Sequence, residues 1–245
     1  MFTLMFGSYT FPNKTFVVKD FTIENNVKEN DIPRRHGSII GTPYLKARKI
    51  QLIGMIHNST EASSLSNLMA MQSALLAGEN KFYMRSDRYI DCYCRKMTPK
   101  PKTDDREVLE VSIDLVAQNP FFIATGASIS DVANPVGSTT LSFNINGSGN
   151  VFEEPIIYFC ATGGAITNNI KLYNLTNGMS ISFIGVLANG LTLKVNTKEI
   201  TVLNNAVDGL SYIEGDFLTI AAGSNSFKYA GATCRVTIEH RSRWY

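Results

Sequence analysis

Residues 87–97, DRYIDCYCRKM, run into 98–106, TPKPKTDDR, and then into 107–122, EVLEVSIDLVAQNPFF; the reading of this stretch decides the fold. In EVLEVSIDLVA, Leu109, Val111, Ile113, Leu115 and Ala117 are apolar, while Glu110, Ser112 and Asp114 between them are polar. A period of two is what a strand with one buried face produces. The run before it sets Ile90, Cys92 and Cys94 on one face and Tyr89, Asp91, Tyr93 and Arg95 on the other. Residues 98–106 are too rich in proline and charge for a sheet interior. The stretch therefore predicts two antiparallel strands joined by a long exposed loop. Asn119-Pro120 then forces an extended break, because the residue before a proline is pushed out of the helical region, and Phe121-Phe122 adds a large apolar anchor. One domain is expected to end here, dividing the chain into 1–123 and 124–245.

Upstream, FTLMF (2–6) and KTFVVKDFTI (14–23) read as strands separated by the turn residues of GSYTFPN. ENNVKENDIPRRHGS (24–38), punctuated by Pro33 and Gly37, reads as a long polar loop and is the first candidate contact surface. KARKIQLIGMIH (46–57) predicts a strand with Ile50, Leu52 and Ile56 on one face and Gly54 admitting another backbone. One helix follows. Thr60 or Ser59 can cap it, Glu61 suits its positive end, and Leu65, Leu68, Met69, Gln72, Leu75 and Leu76 follow the spacing of one buried stripe before Gly78. Residues 81–84 give a short strand.

Past Phe122 the chain is rich in Gly, Asn, Ser and Thr. Short apolar alternations (TTLSFNI, PIIYFC, NIKLYNL, SISFIGV, LTLKVN, EITVL, FLTIAA, NSFKYA, CRVTIEH) are separated by turns such as Asn177-Gly178 and Asn189-Gly190. Many short strands with such turns predict an antiparallel sandwich. The expected fold is mainly β: an N-terminal β-barrel-like domain with one helix, then a C-terminal antiparallel β-sandwich of jelly-roll or galectin-like kind.

Composition narrows the function. The 245 residues carry 23 Lys and Arg against 21 Asp and Glu, a net charge of +2. Phosphate-neutralising proteins need a larger excess, so DNA binding through charge is not expected. The first residues lack the basic lead of a secretory signal, and no segment has the apolar length of a membrane span. Cys92 and Cys94 lie two apart on one strand face, about 6.5 Å between Cα atoms, an awkward distance for a disulfide. A metal or redox site is one reading of the four cysteines; four reduced, buried small hydrophobes is the expected one.

The raw material for catalysis is thin. His36, His57 and His240 have no zinc-binding spacing, and no nucleophile elbow, Walker loop or dinucleotide fingerprint is present. Glu153-Glu154 and Asp104-Asp105 are adjacent carboxylates, but strand neighbours point to opposite faces and loop carboxylates are normally solvated. No catalytic, cofactor or metal residue is assigned, and an enzyme is not expected. A sandwich with Asn-, Gly- and Tyr-rich loops also suits sugar recognition, yet Tyr158, Tyr173, Tyr212 and Tyr229 mostly fall on strand positions, where packing is the simpler role. Trp244, beside Arg241 and Arg243, fits either a cation-π anchor at a subunit contact or a terminal strand closing its own sandwich.

Taken in order, these pieces resemble the distal tail protein family of long-tailed bacteriophages. The resemblance runs along nearly the whole chain: I-P-R-R-x-G at 32–37, R-K-I-x-L-x-G-x-I at 48–56, the helix after it, D-R-Y-I-D-C-Y from Asp87, and A-Q-N-P-F-F at 117–122. In the second half it is carried by Glu154-Pro155-Ile156, L-T-L-K-V-N from Leu191, G-S-N-S-F at 223–227 with Ala222 where the family tends to have proline, and a terminal Arg-Trp pair. The second half is short for the family, with no room for an added carbohydrate-binding insertion. The resemblance implies a structural homo-hexamer, a ring hub joining the tail tube protein to the tail-tip or baseplate proteins or a tail-associated lysin. It implies a channel through which DNA passes without specific binding, no membrane partner, a place at the virion tail tip, and assembly in the host bacterial cytoplasm. The N-terminal domain would form the ring and the sandwich would project as a platform, with loops 24–38 and 98–106 making subunit or tube contacts. The rival expectation is a carbohydrate- or cell-surface-binding sandwich used in host adhesion.

Overall fold

The computed structural model of the chain describes residues 4–12, 15–26, 29–31, 38–40, 44–102, 105–133, 140–167 and 170–245, and contacts within the chain separate two compact units, Met1–Phe122 and Ile123–Tyr245. In the first unit the strands are β1 (Met5–Phe6), β2 (Tyr9–Thr10), β3 (Phe16–Thr22), β4 (Asn25–Asn26), β5 (Glu29–Asp31), β6 (Ser38–Ile40), β7 (Tyr44–Leu45), β8 (Arg48–His57), β9 (Asn80–Arg85), β10 (Arg88–Lys102) and β11 (Asp105–Ala117); helix α1 covers Glu61–Leu75. The main sheet runs β2-β1-β9-β10-β11-β8-β3. Its centre is the β11–β8 ladder, in register from Val108↔His57 to Ala117↔Arg48. Leu109, Val111, Ile113, Leu115 and Ala117 are all buried, opposite buried Ile50, Leu52 and Ile56, so the period of two in the sequence is the inner face of the sheet. At Gly54 a Cβ would lie 2.3 Å from the Phe16 ring: a ring, not the backbone that the sequence suggested, needs the missing side chain.

Three expectations need correction. Residues 98–102 are not loop, because β10 continues through them, with Pro99↔Val111 and Pro101↔Leu109 in register. The two prolines lie two apart and so occupy the same kind of ladder position, and β9 pairs β10 only as far as Cys92. Thr103 and Asp104 lie outside the described residues. The polar segment 24–38 is also less bare than expected: β4 pairs β7 and β5 pairs β6. The 32–37 motif, with Pro33, His36 and Gly37, lies outside the described residues.

The third correction concerns α1. Thr60 is its N-cap, its side chain accepting a hydrogen bond from the Ser63 N–H, and Glu61 stands in the first turn. The buried stripe, however, is Ser64, Leu68, Met71 and Leu75, while Leu65, Met69 and Leu76 are exposed. A polar anchor sets this rotation: the Ser64 hydroxyl donates 2.6 Å to the Glu107 carbonyl, holding serine inward where a purely apolar reading puts leucine.

The second unit comprises β12 (Phe122–Ala124, shared with the boundary), β13 (Ser128–Ala133), β14 (Thr140–Gly147), β15 (Ile156–Ala161), β16 (Ile170–Asn174), β17 (Met179–Phe183), β18 (Thr192–Asn196), β19 (Thr201–Asn204), β20 (Val207–Asp208), β21 (Ile213–Gly215), β22 (Gly223–Ala230), β23 (Cys234–His240) and β24 (Arg243–Trp244). One sheet runs β13-β23-β15-β18-β19-β20 and the other β14-β22-β16-β17-β21, antiparallel throughout. Both contribute to a single core, Ile157, Phe159, Leu193 and Val236 from the first and Leu172, Phe183, Phe227 and Tyr229 from the second. This is the antiparallel sandwich the sequence predicts. FLTIAA alone fails as a strand: Leu218 and Ile220 are fully buried, but the segment makes one isolated bridge, Glu153↔Ile220.

Candidate functional site

The stretches singled out in the second half resolve into fixed turns. Asn225, from G-S-N-S-F, is fully buried. Its Nδ2 donates to the Ala221 carbonyl at 2.8 Å and the Gly223 carbonyl at 2.9 Å, and its Oδ1 accepts from the Ala221 N–H at 2.9 Å. One amide thus closes the turn into β22, where Gly223 takes φ +85°. Asn174 is buried beside it, donating 2.8 Å to the Thr219 carbonyl.

The carboxylate pair Glu153-Glu154 does split to two sides. Glu153 is fully buried, with Oε2 at 2.5 Å from His240 Nδ1 and Oε1 without a partner among the described residues. Glu154 meets the Arg243 guanidinium at 2.7 Å. Gly149 lets the Arg243 backbone through, since a Cβ there would sit 2.0 Å from the Arg243 carbonyl. The buried Glu153–His240 contact was missed in the sequence, although Cys234, Val236, Ile238 and His240 share one parity and all four are buried. Of the other histidines, His57 ends β8 exposed and His36 lies outside the described residues.

In the first unit, Arg48 is buried with its guanidinium carbon 4.3 Å from the Phe21 ring centre and 5.0 Å from that of Phe122. The two rings stack at 5.3 Å. Burial pulls the Arg48 pKa down to about 10, which leaves it charged at neutral pH and held by ring faces. The A-Q-N-P-F-F motif therefore supplies a lid for this arginine.

Three of the four thiols lie in surroundings that oppose ionisation. Cys92 and Cys234 are buried; burial raises both, Cys234 to about 12. Cys94 is raised as well, chiefly by burial. Thiolates, which nucleophiles and metal ligands require, are thus disfavoured at these three. Among the described residues no group of three or more His, Cys, Asp and Glu is placed to hold a metal ion, and no helix is long and apolar enough to cross a membrane. Tyr229 is fully buried and donates 2.6 Å to the Ala232 carbonyl; Tyr158 and Tyr173 lie under Lys194 and Lys171. Of the four tyrosines weighed for sugar stacking, Tyr212 has an exposed ring, packed edge-on to Phe183.

Residues 148–244 match the family model described as the siphovirus-type tail component, C-terminal domain. No curated protein matches the sequence. Among solved structures, the Dit protein of phage SPP1, described as a paradigm of the hub adsorption apparatus in phages infecting Gram-positive bacteria, shares 14% identity. The alignment covers 99% of each chain with a TM-score of 0.77. The activated baseplate of phage P2 with calcium is a weaker likeness, 7% identical over 93% of this chain and 91% of that one, with a TM-score of 0.45. Residues 148–244 thus resemble a siphovirus-type tail component domain, and the chain from end to end shares the fold of a phage tail protein.

Proposed function

We propose that this protein is the hub of a siphophage tail: a ring of six copies that joins the tail tube to the tail-tip or baseplate proteins and leaves a channel for DNA. The fold likeness over 99% of both chains to a protein described as part of a hub adsorption apparatus carries this reading. Charge balance supports it, because 23 basic against 21 acidic residues give a conduit no reason to grip DNA. So does the chemistry of the singled-out residues: Asn225, Glu153, His240, Arg243 and Arg48 are occupied in holding turns and strand ends, which suits building material. The first unit forms the ring and the second serves as a platform, assembled in the host cytoplasm before it enters the virion. Native mass spectrometry of the purified full chain tests this. A species of six times the 27.0 kDa subunit mass is expected; a single subunit at every concentration overturns the ring.

A further inference from the structure

The outward side of α1 is unlike a helix face that meets water. Leu65, Met69 and Leu76 are 45%, 68% and 68% exposed, and Ala62, Ser66, Ala70 and Ser73 between them are exposed too. From residue 58 to residue 80 the only ionisable side chains are Glu61 and Glu79, which leaves every turn after the first without charge. Solvent-facing helix surfaces normally carry charged residues, and a contiguous apolar patch marks a contact surface. Whatever covers this face must itself be free of charge, since a charged surface would be stripped of water against it without compensation.

The first unit offers such a surface. On the sheet face away from buried Ile50, Leu52 and Ile56, the register aligns Val17 of β3, Ile53 of β8, Ser112 of β11 and Thr98 of β10 in one row. No member of that row is charged, Val17 and Thr98 are exposed, and Ile53 and Ser112 are half-buried. Met55, two residues along β8, stands in the next row, opposite Glu110. The flanking rows carry charges that oppose one another in register, Lys100 with Glu110 and Lys96 with Asp114. Four strands at their usual spacing make the row about 14 Å long; Leu65 to Leu76 spans about 16 Å along a helix.

We propose that copies of this chain associate head to tail, with the outer face of α1 from one copy lying along the Val17–Ile53–Ser112–Thr98 row of the next. The two patches differ, so the contact is heterologous, and repetition at a fixed rotation closes a ring. This rests on the hub reading and names the surfaces that reading needs.

The test uses the full chain, with Met69→Glu on the helix face and Val17→Glu on the sheet row, both at exposed positions that leave the core intact. Native mass spectrometry should show the unaltered chain as a closed oligomer and each variant alone as single subunits, associating at least tenfold more weakly. Circular dichroism spectra should be unchanged, showing that each variant still folds. An equimolar mixture of the two variants retains one intact contact per pair and should stop at dimers. Variants that still form the full oligomer, or a mixture that builds complete rings, overturn the proposal while leaving the hub reading in place. An unaltered chain that stays single at all concentrations removes both.

Discussion

Asn225 shows how much one side chain holds in this protein. Its amide makes three hydrogen bonds to the backbone of 221–223 from a fully buried position. Asn225→Ala strands two carbonyls and an N–H, and urea denaturation should record a loss of about 3 kcal/mol, with Asn225→Asp costing at least as much because a buried carboxylate oxygen would face the two carbonyls. At the surface the stakes are smaller. Asp131 accepts from the Arg235 guanidinium and, at 2.9 Å, from the Thr237 hydroxyl; these contacts hold its carboxyl below the ordinary carboxylate value. A folded pKa below the unfolded one means the contribution is complete at neutral pH and is lost as pH falls below about 4. Asp131→Asn should therefore flatten the acid limb of a stability-versus-pH curve slightly and leave neutral stability nearly unchanged. The sequence exposed these roles unevenly. The alternation in CRVTIEH pointed His240 inward, but its partner Glu153 lies 87 residues earlier and no local pattern links them.

At the scale of elements, regular alternation was the most legible feature, because burial of one sheet face writes the same period into every strand. Leu109 to Ala117 and Ile50 to Ile56 read correctly for that reason. The helix shows where the rule weakens: both Leu65/Met69/Leu76 and Leu68/Met71/Leu75 have helical spacing, and Ser64 decides between them through a bond to Glu107, a contact 43 residues away. Met71→Ala should cost about 3 kcal/mol in urea denaturation, whereas Met69→Ala should stay within about 0.5 kcal/mol. Thr60→Ala should cost about 1 kcal/mol by freeing the Ser63 N–H. The end of β10 was unreadable for a different reason. Prolines and lysines are the residues of loops and equally of guarded strand edges, and only the pairing partner tells the two apart.

For the molecule as a whole, two β-rich units with separate cores fit a protein whose work is to be built into something larger. Each has a sheet frame legible from period and turns. What could not be read from the chain is which outward residues meet neighbours, since an exposed leucine and a buried one look alike in sequence until a fold sets their faces. The tail-component match over residues 148–244 supports a place in the virion, and the proposed hub role puts the protein at the tail tip. Gold-labelled antibody raised against the purified full chain, applied to intact phage particles under the electron microscope, tests this most directly. Label is expected at the end of the tail farthest from the head; label along the tube, on the head, or nowhere on particles shown to contain the protein would overturn the hub role.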